Sequence, residues 1–81
     1  MKIKGFRKDN PESRLPEPGQ FGRDVNGNWF GCTPEGFHCN LTRHDVVEHE
    51  DGSITVSPSI LITRHDGQWH GYLRAGEWEQ C

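Results

Sequence analysis

The segment Ser53–Leu73, SITVSPSILITRHDGQWHGYL, decides the fold class. Runs rich in Ile, Val and Thr alternate with polar residues, which is typical of strands that are buried on one face. Asp66-Gly67 lies between two such runs, and Asp-Gly is a strong signal for a tight hairpin turn. Pro58 interrupts the first half, so we expect a corner between two strands at that point. The segment therefore predicts antiparallel sheet and no helix.

Turn signals outside this segment extend the pattern. Asp51-Gly52 predicts a second hairpin, and the sequence Thr33-Pro34-Glu35-Gly36 suits a turn between two aromatic runs. Arg74–Glu77 predicts a further turn before Trp78, and no apolar repeat of helical period occurs. We therefore expect an all-β fold, a small antiparallel meander of hairpins that closes as a half-barrel or sandwich over residues 29–81.

Residues 1–28 have a different composition. They contain three prolines and four glycines, and residues 7–28 show no strand or helix period, so an extended, Pro/Gly-rich N-terminal arm is predicted. A short edge strand in MKIKGF is consistent with its lysines. The same lysines also fit a solubilising tail.

The two Asp-Gly turns predict which residues face each other. A two-residue loop at 51–52 places Val47 opposite Val56 and directs Glu48 away from the core. A two-residue loop at 66–67 places Arg64 opposite Trp69. The predicted core face then comprises Ile60, Ile62, Trp69 and Leu73, and the opposite face comprises Leu61, Thr63, His65, His70 and Tyr72.

Length and charge restrict the function. At 81 residues with 31% hydrophobic residues, the chain forms a single domain with a small core, to which we expect the aromatic side chains to contribute most. Residues 29–81 hold three arginines and eight acidic residues, a balance of −5 within a net charge of −3. This acidic body argues against direct nucleic-acid binding. No apolar run suits a membrane span or a signal peptide, so a cytoplasmic location is expected.

Histidines and cysteines are the candidate ligands and nucleophiles. His65 and His70 could share a metal ion across a hairpin, but a third ligand is not evident, so no metal or cofactor is predicted. Cys32, Cys39 and Cys81 are odd in number, which favours free thiols over a Cys32–Cys39 disulfide. A nucleophilic pair of Cys39 with a neighbouring histidine lacks a pocket, so the chain is not predicted to be an enzyme.

Two segments within residues 44–78, HDVVEHEDGSITVSPSILI and WHGYLRAGEW, resemble the shared core of small uncharacterised proteins of phages and prophages. The resemblance implies a phage-type protein that acts in the cytoplasm of a bacterial host. It implies no reaction and no established site residues.

These observations together favour a non-enzymatic protein-binding module. Its partner is expected to be a host or phage protein with a basic surface, such as a host or defence enzyme whose nucleic-acid-binding site the acidic body occupies as an inhibitor. The alternatives are a structural zinc-binding domain and a homo-oligomeric structural protein that pairs edge strands. The candidate partner-binding residues are Asp45, Glu48, Glu50, Asp51, Leu61, His65, His70 and Tyr72.

Overall fold

A computed structural model describes residues 2–12 and 14–81 of the chain, and this part is all-β without a helix. Every strand pair is antiparallel except β2 with β3, so the predicted fold class is confirmed. The strands are β1 (Lys2–Lys4), β2 (Phe6–Arg7), β3 (Gln20–Arg23), β4 (Trp29–Cys32), β5 (His38–Asn40), β6 (Asp45–Glu48), β7 (Ile54–Ser57), β8 (Ile60–Arg64), β9 (Gly67–Arg74) and β10 (Glu77–Gln80).

The strands form two four-stranded sheets and one separate hairpin. The first sheet has the order β1-β10-β9-β8, the second has the order β2-β3-β4-β5, and β6 pairs with β7. Gly5 lies between β1 and β2, where the chain passes from the first sheet to the second. A side chain at Gly5 would meet the indole nitrogen of Trp78 at 2.7 Å and the carbonyl oxygen of Gly19 at 2.8 Å, so only glycine fits without a shift.

The core lies between the sheets and beneath the β6–β7 hairpin. Trp69 and Trp78 meet edge to face, with ring centroids 5.7 Å apart, and Trp78 Nε1 donates a hydrogen bond to Gly19 O at 3.1 Å. The predicted burial of Trp69 is confirmed, but aliphatic side chains outnumber aromatic ones, contrary to expectation. The buried cluster is Phe21, Leu41, Ile54, Val56, Ile60, Ile62, Trp69, Leu73 and Trp78.

The β6–β7 hairpin differs from its predicted register by one residue. His49 N donates to Ser53 O at 2.8 Å, so the loop contains residues 50–52, with Gly52 at a φ of 89°. A three-residue loop ending in a left-handed glycine is a common alternative to the two-residue turn. Val46 therefore lies opposite Val56 and packs against the core, whereas Val47 is 57% exposed. The predicted orientation of Val47 and Glu48 is wrong.

The β8–β9 hairpin differs from its predicted register by two residues. Arg64 lies opposite Gly67 and Ile62 opposite Trp69, so the loop is His65-Asp66. Because side chains alternate with a period of two, this shift leaves the strand residues on their predicted faces, whereas His65 falls in the loop. The core face of Ile60, Ile62, Trp69 and Leu73 is confirmed. Pro58 lies between β7 and β8, which belong to different sheets, so the predicted corner is also confirmed.

The prediction of an irregular arm over residues 1–28 is wrong for Gln20–Arg23. These residues form β3, which pairs with β4 across the predicted boundary, and Phe21 is only 2% exposed. The connection is a turn in which Asp24 N donates to Asn28 O at 2.8 Å. The edge strand predicted in MKIKGF is confirmed as β1, which pairs with β10 at the margin of the first sheet. Two turns, Thr33–Gly36 and Ala75-Gly76, also lie where the sequence predicts them.

Candidate functional site

The first sheet has one face against the core and one face toward solvent. Ile60, Trp69 and Leu73 point inward, so the alternating residues point outward. We call this solvent side the outer face, and none of its side chains is buried. Its residues are Lys2, Lys4, Leu61, Thr63, Gln68, His70, Tyr72, Arg74, Glu77 and Glu79.

One half of the outer face carries no charged side chain other than the titratable His70. This uncharged half comprises Leu61, Thr63, Gln68, His70 and Tyr72 on β8 and β9. Leu61 lies directly opposite His70 in the hairpin and is 57% exposed. The His70 ring nitrogen Nε2 lies 3.0 Å from Ser59 Oγ, which orients the imidazole along the sheet. Tyr72 is half-buried beside it.

The other half of the outer face is charged with mixed sign. This charged half comprises Lys2, Lys4, Arg74, Glu77 and Glu79 on β1, β9 and β10. Arg74 joins the two halves, because its guanidinium lies 3.9 Å from the centre of the Tyr72 ring and 3.7 Å from Glu79. The contact with Tyr72 has cation–π geometry and restrains the phenol ring.

His65 does not belong to this surface. The sequence placed it beside Leu61, His70 and Tyr72, but it occupies the two-residue loop beyond β8 and is exposed there. In the ranges 2–12 and 14–81, no three His, Cys, Asp or Glu residues come together in a metal-binding group. The structure thus brings together three of the four candidate binding residues predicted on this face, namely Leu61, His70 and Tyr72.

The acidic group predicted near the β6–β7 hairpin is divided by ion pairs. Glu48 lies 2.5 Å from Arg7 and 3.7 Å from Arg23, and both guanidinium groups stack on Trp29, at 5.0 and 4.3 Å from its ring centre. The hydrogen bond from Arg7 holds the pKa of Glu48 below its usual value. The prediction that Glu48 points away from the apolar face is wrong, and its charge is locally compensated.

The remaining predicted carboxylates are exposed but lie at opposite ends of the hairpin. Asp45 begins β6, whereas Glu50 and Asp51 lie in the loop at its opposite end. Asp51 Oδ1 accepts hydrogen bonds from the Ser53 hydroxyl at 2.6 Å and the Ser53 amide at 3.0 Å, which lowers the Asp51 pKa. Asp51 therefore has a structural role in the loop in addition to its charge.

Arg7 and Arg23 were not predicted as site residues. Arg7 also donates to Asp9 at 3.2 Å and to Gly52 O at 3.3 Å, so it fixes the β6–β7 loop to the second sheet. The hydrogen bond with Glu48 raises the pKa of Arg7 above its usual value, and the hydrogen bond with Asp9 acts in the same direction. No local sequence pattern could have revealed a pair separated by 41 positions.

The cysteines are free thiols in different environments. Cys32 is buried, Cys39 is half-buried and Cys81 is exposed. Burial, followed by the proximity of Cys32, raises the pKa of Cys39 to about 12. Because the thiolate is the nucleophilic form, a thiol with this pKa is unreactive at neutral pH. A pair of Cys39 with a neighbouring histidine, which the sequence does not favour, would therefore lack an activated nucleophile.

Residues 2–12 and 14–81 contain no helix of the length and hydrophobicity needed to cross a membrane. The chain matches no protein-family model, no curated protein and no solved structure.

Proposed function

We propose that the protein is a non-enzymatic protein-binding module whose contact surface is the uncharged half of the outer face. The exposure of Leu61 supports this proposal most directly. This large apolar side chain is 57% exposed on an open sheet, near Tyr72. Protein interfaces typically have a core poor in charged residues, surrounded by a polar rim. The charged half of the outer face borders the uncharged half on one side, as part of such a rim would.

Tyr72 is suited to be the anchor of such a contact. Tyrosine is enriched among residues that dominate binding energy, because it offers a large area with few rotatable bonds. The Arg74 guanidinium at 3.9 Å already restrains the ring, so little side-chain entropy is lost on binding. A flat sheet surface with one rigid aromatic side chain and one exposed leucine fits a folded protein better than a small molecule.

The proposed partner presents a basic surface around an apolar contact. The chain has a net charge of −3, and Glu50 and Asp51 remain exposed at the β6–β7 loop, whereas Glu48 is compensated by arginines. Net negative charge accelerates association with a basic partner without fixing its orientation. Because the sequence resembles phage proteins, we propose that the partner is a host or defence enzyme and that the module occupies its nucleic-acid-binding site.

Neither Cys32 nor Cys39 is an activated nucleophile, which supports a binding role over catalysis. Cys39 has a pKa raised to about 12, and Cys32 is buried with its pKa raised as well. The outer face is an open sheet surface without the enclosed pocket that most small-molecule catalysis requires.

The test begins by recovering the partner from a bacterial host through a photo-reactive amino acid placed at His70. The dissociation constant of the recovered complex is then measured for Leu61→Ser and for the matched control Val25→Ser. Both side chains are exposed apolar groups, at 57% and 56%, but Val25 lies in the turn between β3 and β4. Leu61→Ser should weaken binding at least about tenfold, and Val25→Ser less than about twofold.

Tyr72→Ala and Glu50→Lys separate the two candidate surfaces. Tyr72→Ala should weaken binding about 30-fold, as expected for a dominant interface residue. Glu50→Lys should lower mainly the association rate, and the loss should fade at high salt. Equal losses for Leu61→Ser and Val25→Ser, or a larger loss for Glu50→Lys than for Tyr72→Ala, would refute the proposal.

A further inference from the structure

The first sheet has two edges that differ in chemistry. β1 carries Lys2 and Lys4, and edge lysines are a common protection against pairing with another chain. β8 forms the opposite edge, and its sequence Ile-Leu-Ile-Thr has no charge, glycine or proline before Arg64. An apolar, β-branched edge strand without protection is a template for another strand.

The backbone of β8 has free hydrogen-bonding groups on that edge. Arg64 and Gly67 flank the two-residue loop, so they form a hydrogen-bonded pair, as do Ile62 with Trp69. The peptide groups of Leu61 and Thr63 therefore point away from β9. Among the described residues, no backbone or side-chain hydrogen bond engages these groups.

We propose that β8 pairs antiparallel with β8 of a second copy of the chain, with Leu61 facing Leu61 of the second copy across a two-fold axis. This register places Ile60 beside Ile62 of the second copy on the core side, and Thr63 opposite Ser59 of the second copy on the outer face. Apolar residues meet apolar residues and hydroxyls meet hydroxyls. Arg64 falls opposite Pro58 of the second copy, at a position where no amide hydrogen bond crosses the interface, so the missing amide hydrogen of proline is tolerated there.

Neighbouring registers fit less well. Shifting the axis to Ile62 places Ile60 beside Arg64 of the second copy, and shifting it to Thr63 places Ile62 beside that arginine. Both put a charge against the apolar row of the core side. Of these three registers, the Leu61-centred one keeps Arg64 away from the isoleucines and is self-complementary on both faces, as a two-fold interface requires.

The proposed pairing of β8 with β8 follows from the chemistry of this edge strand and does not rest on the proposed function. It joins two first sheets into one eight-stranded sheet, and the uncharged halves of the two copies meet at the axis. The partner surface around Leu61 is then continuous across the dimer. An edge contact that involves only the two β8 strands favours a dissociation constant in about the micromolar range.

Disulfide trapping tests the register. In a Cys81→Ser background, Leu61→Cys should oxidise to a covalent dimer, because facing residues of a hydrogen-bonded antiparallel pair have Cα atoms about 5.5 Å apart. Thr63→Cys is the matched control. In the proposed register the two Thr63 positions are separated by about four residues along the strand, more than 10 Å, which is too far for a disulfide.

Sedimentation equilibrium of the unmodified chain tests the dimer itself. Thr63→Pro removes an amide N–H that points away from β9 and toward the second copy. Leu61→Lys places the ammonium groups of the two copies opposite each other at the two-fold axis. Each should raise the dimer dissociation constant at least about tenfold while far-UV circular dichroism is unchanged. A monomeric wild-type chain at about 100 μM would overturn the inference. Equal cross-linking of Leu61→Cys and Thr63→Cys would do so as well. Unchanged partner binding by a Tyr72→Ala variant that remains dimeric would count against the proposed function alone.

Discussion

Two buried tryptophans allow the packing of the core to be tested with a single chemical change. Trp69 and Trp78 are each 1% exposed and contact one another, but only Trp78 has a hydrogen-bond partner, Gly19 O at 3.1 Å. Trp69 Nε1 is buried without a polar partner among the described residues. The substitutions Trp78→Phe and Trp69→Phe therefore remove the same atoms from sites that differ mainly in this bond.

The expected magnitudes follow from cavity and hydrogen-bond terms. Replacing Trp by Phe removes about 40 Å³, which costs about 1 kcal/mol at about 24 cal/mol per Å³. Trp78→Phe also loses a hydrogen bond worth about 1 kcal/mol, so the free energy of unfolding should fall by about 2 kcal/mol. Trp69→Phe removes a buried unbonded donor, a relief of about 1–3 kcal/mol, so its net effect should lie near zero or be stabilising.

Urea denaturation followed by far-UV circular dichroism gives both values, because this signal does not depend on the tryptophans that are removed. Each free energy of unfolding is extrapolated linearly to water, and an unchanged slope confirms that the two states compared are the same. The reasoning fails if the two variants lose stability equally within about 0.5 kcal/mol, or if Trp69→Phe is the costlier change.

Two further predictions concern close packing and charge. Gly71→Ala should lower the free energy of unfolding by about 1–3 kcal/mol, since its Cβ would approach the Trp69 ring at 2.6 Å and the Cα of Gln80 at 2.9 Å, and a thermal denaturation shift near zero would contradict that packing. The ion pair with Arg7 lowers the pKa of Glu48, so its contribution to stability is present above about pH 4.5 and is lost as the pH falls through the folded-state pKa. The difference in urea midpoint between wild type and Glu48→Gln should therefore shrink on acidification, and a constant difference between about pH 7 and pH 3 would be evidence against the pair.

The hairpins show which part of a β fold can be predicted from turn sequences. Asp51-Gly52 and Asp66-Gly67 both lie at hairpins, as predicted. The first loop contains three residues, 50–52, and the second is His65-Asp66, so neither loop has the predicted bounds. At β8–β9 the error was two residues, so the strand side chains kept their faces and this part of the outer face could be predicted, whereas His65 moved into the loop. At β6–β7 the error was one residue, which exchanged Val46 with Val47 between core and solvent.

The N-terminal region shows what local patterns leave out. Phe21 enters the core from a four-residue strand whose pairing depends on residues elsewhere in the chain. The dipeptide Asn26-Gly27 between Phe21 and Trp29 was a hairpin signal that could have revealed β3. The contact of Arg7 with Glu48 had no such signal, because it depends on the arrangement of the second sheet against the β6–β7 hairpin.

The central claim is that the uncharged half of the outer face contacts the partner. For a chain of 9.3 kDa, amide chemical-shift mapping by nuclear magnetic resonance during titration with the recovered partner reports every surface at once. The account predicts that the largest shifts and line broadening occur at Leu61, His70 and Tyr72, with small changes at Glu50 and Asp51. Perturbations concentrated at the β6–β7 loop or on the second sheet, with the outer face unchanged, would contradict it.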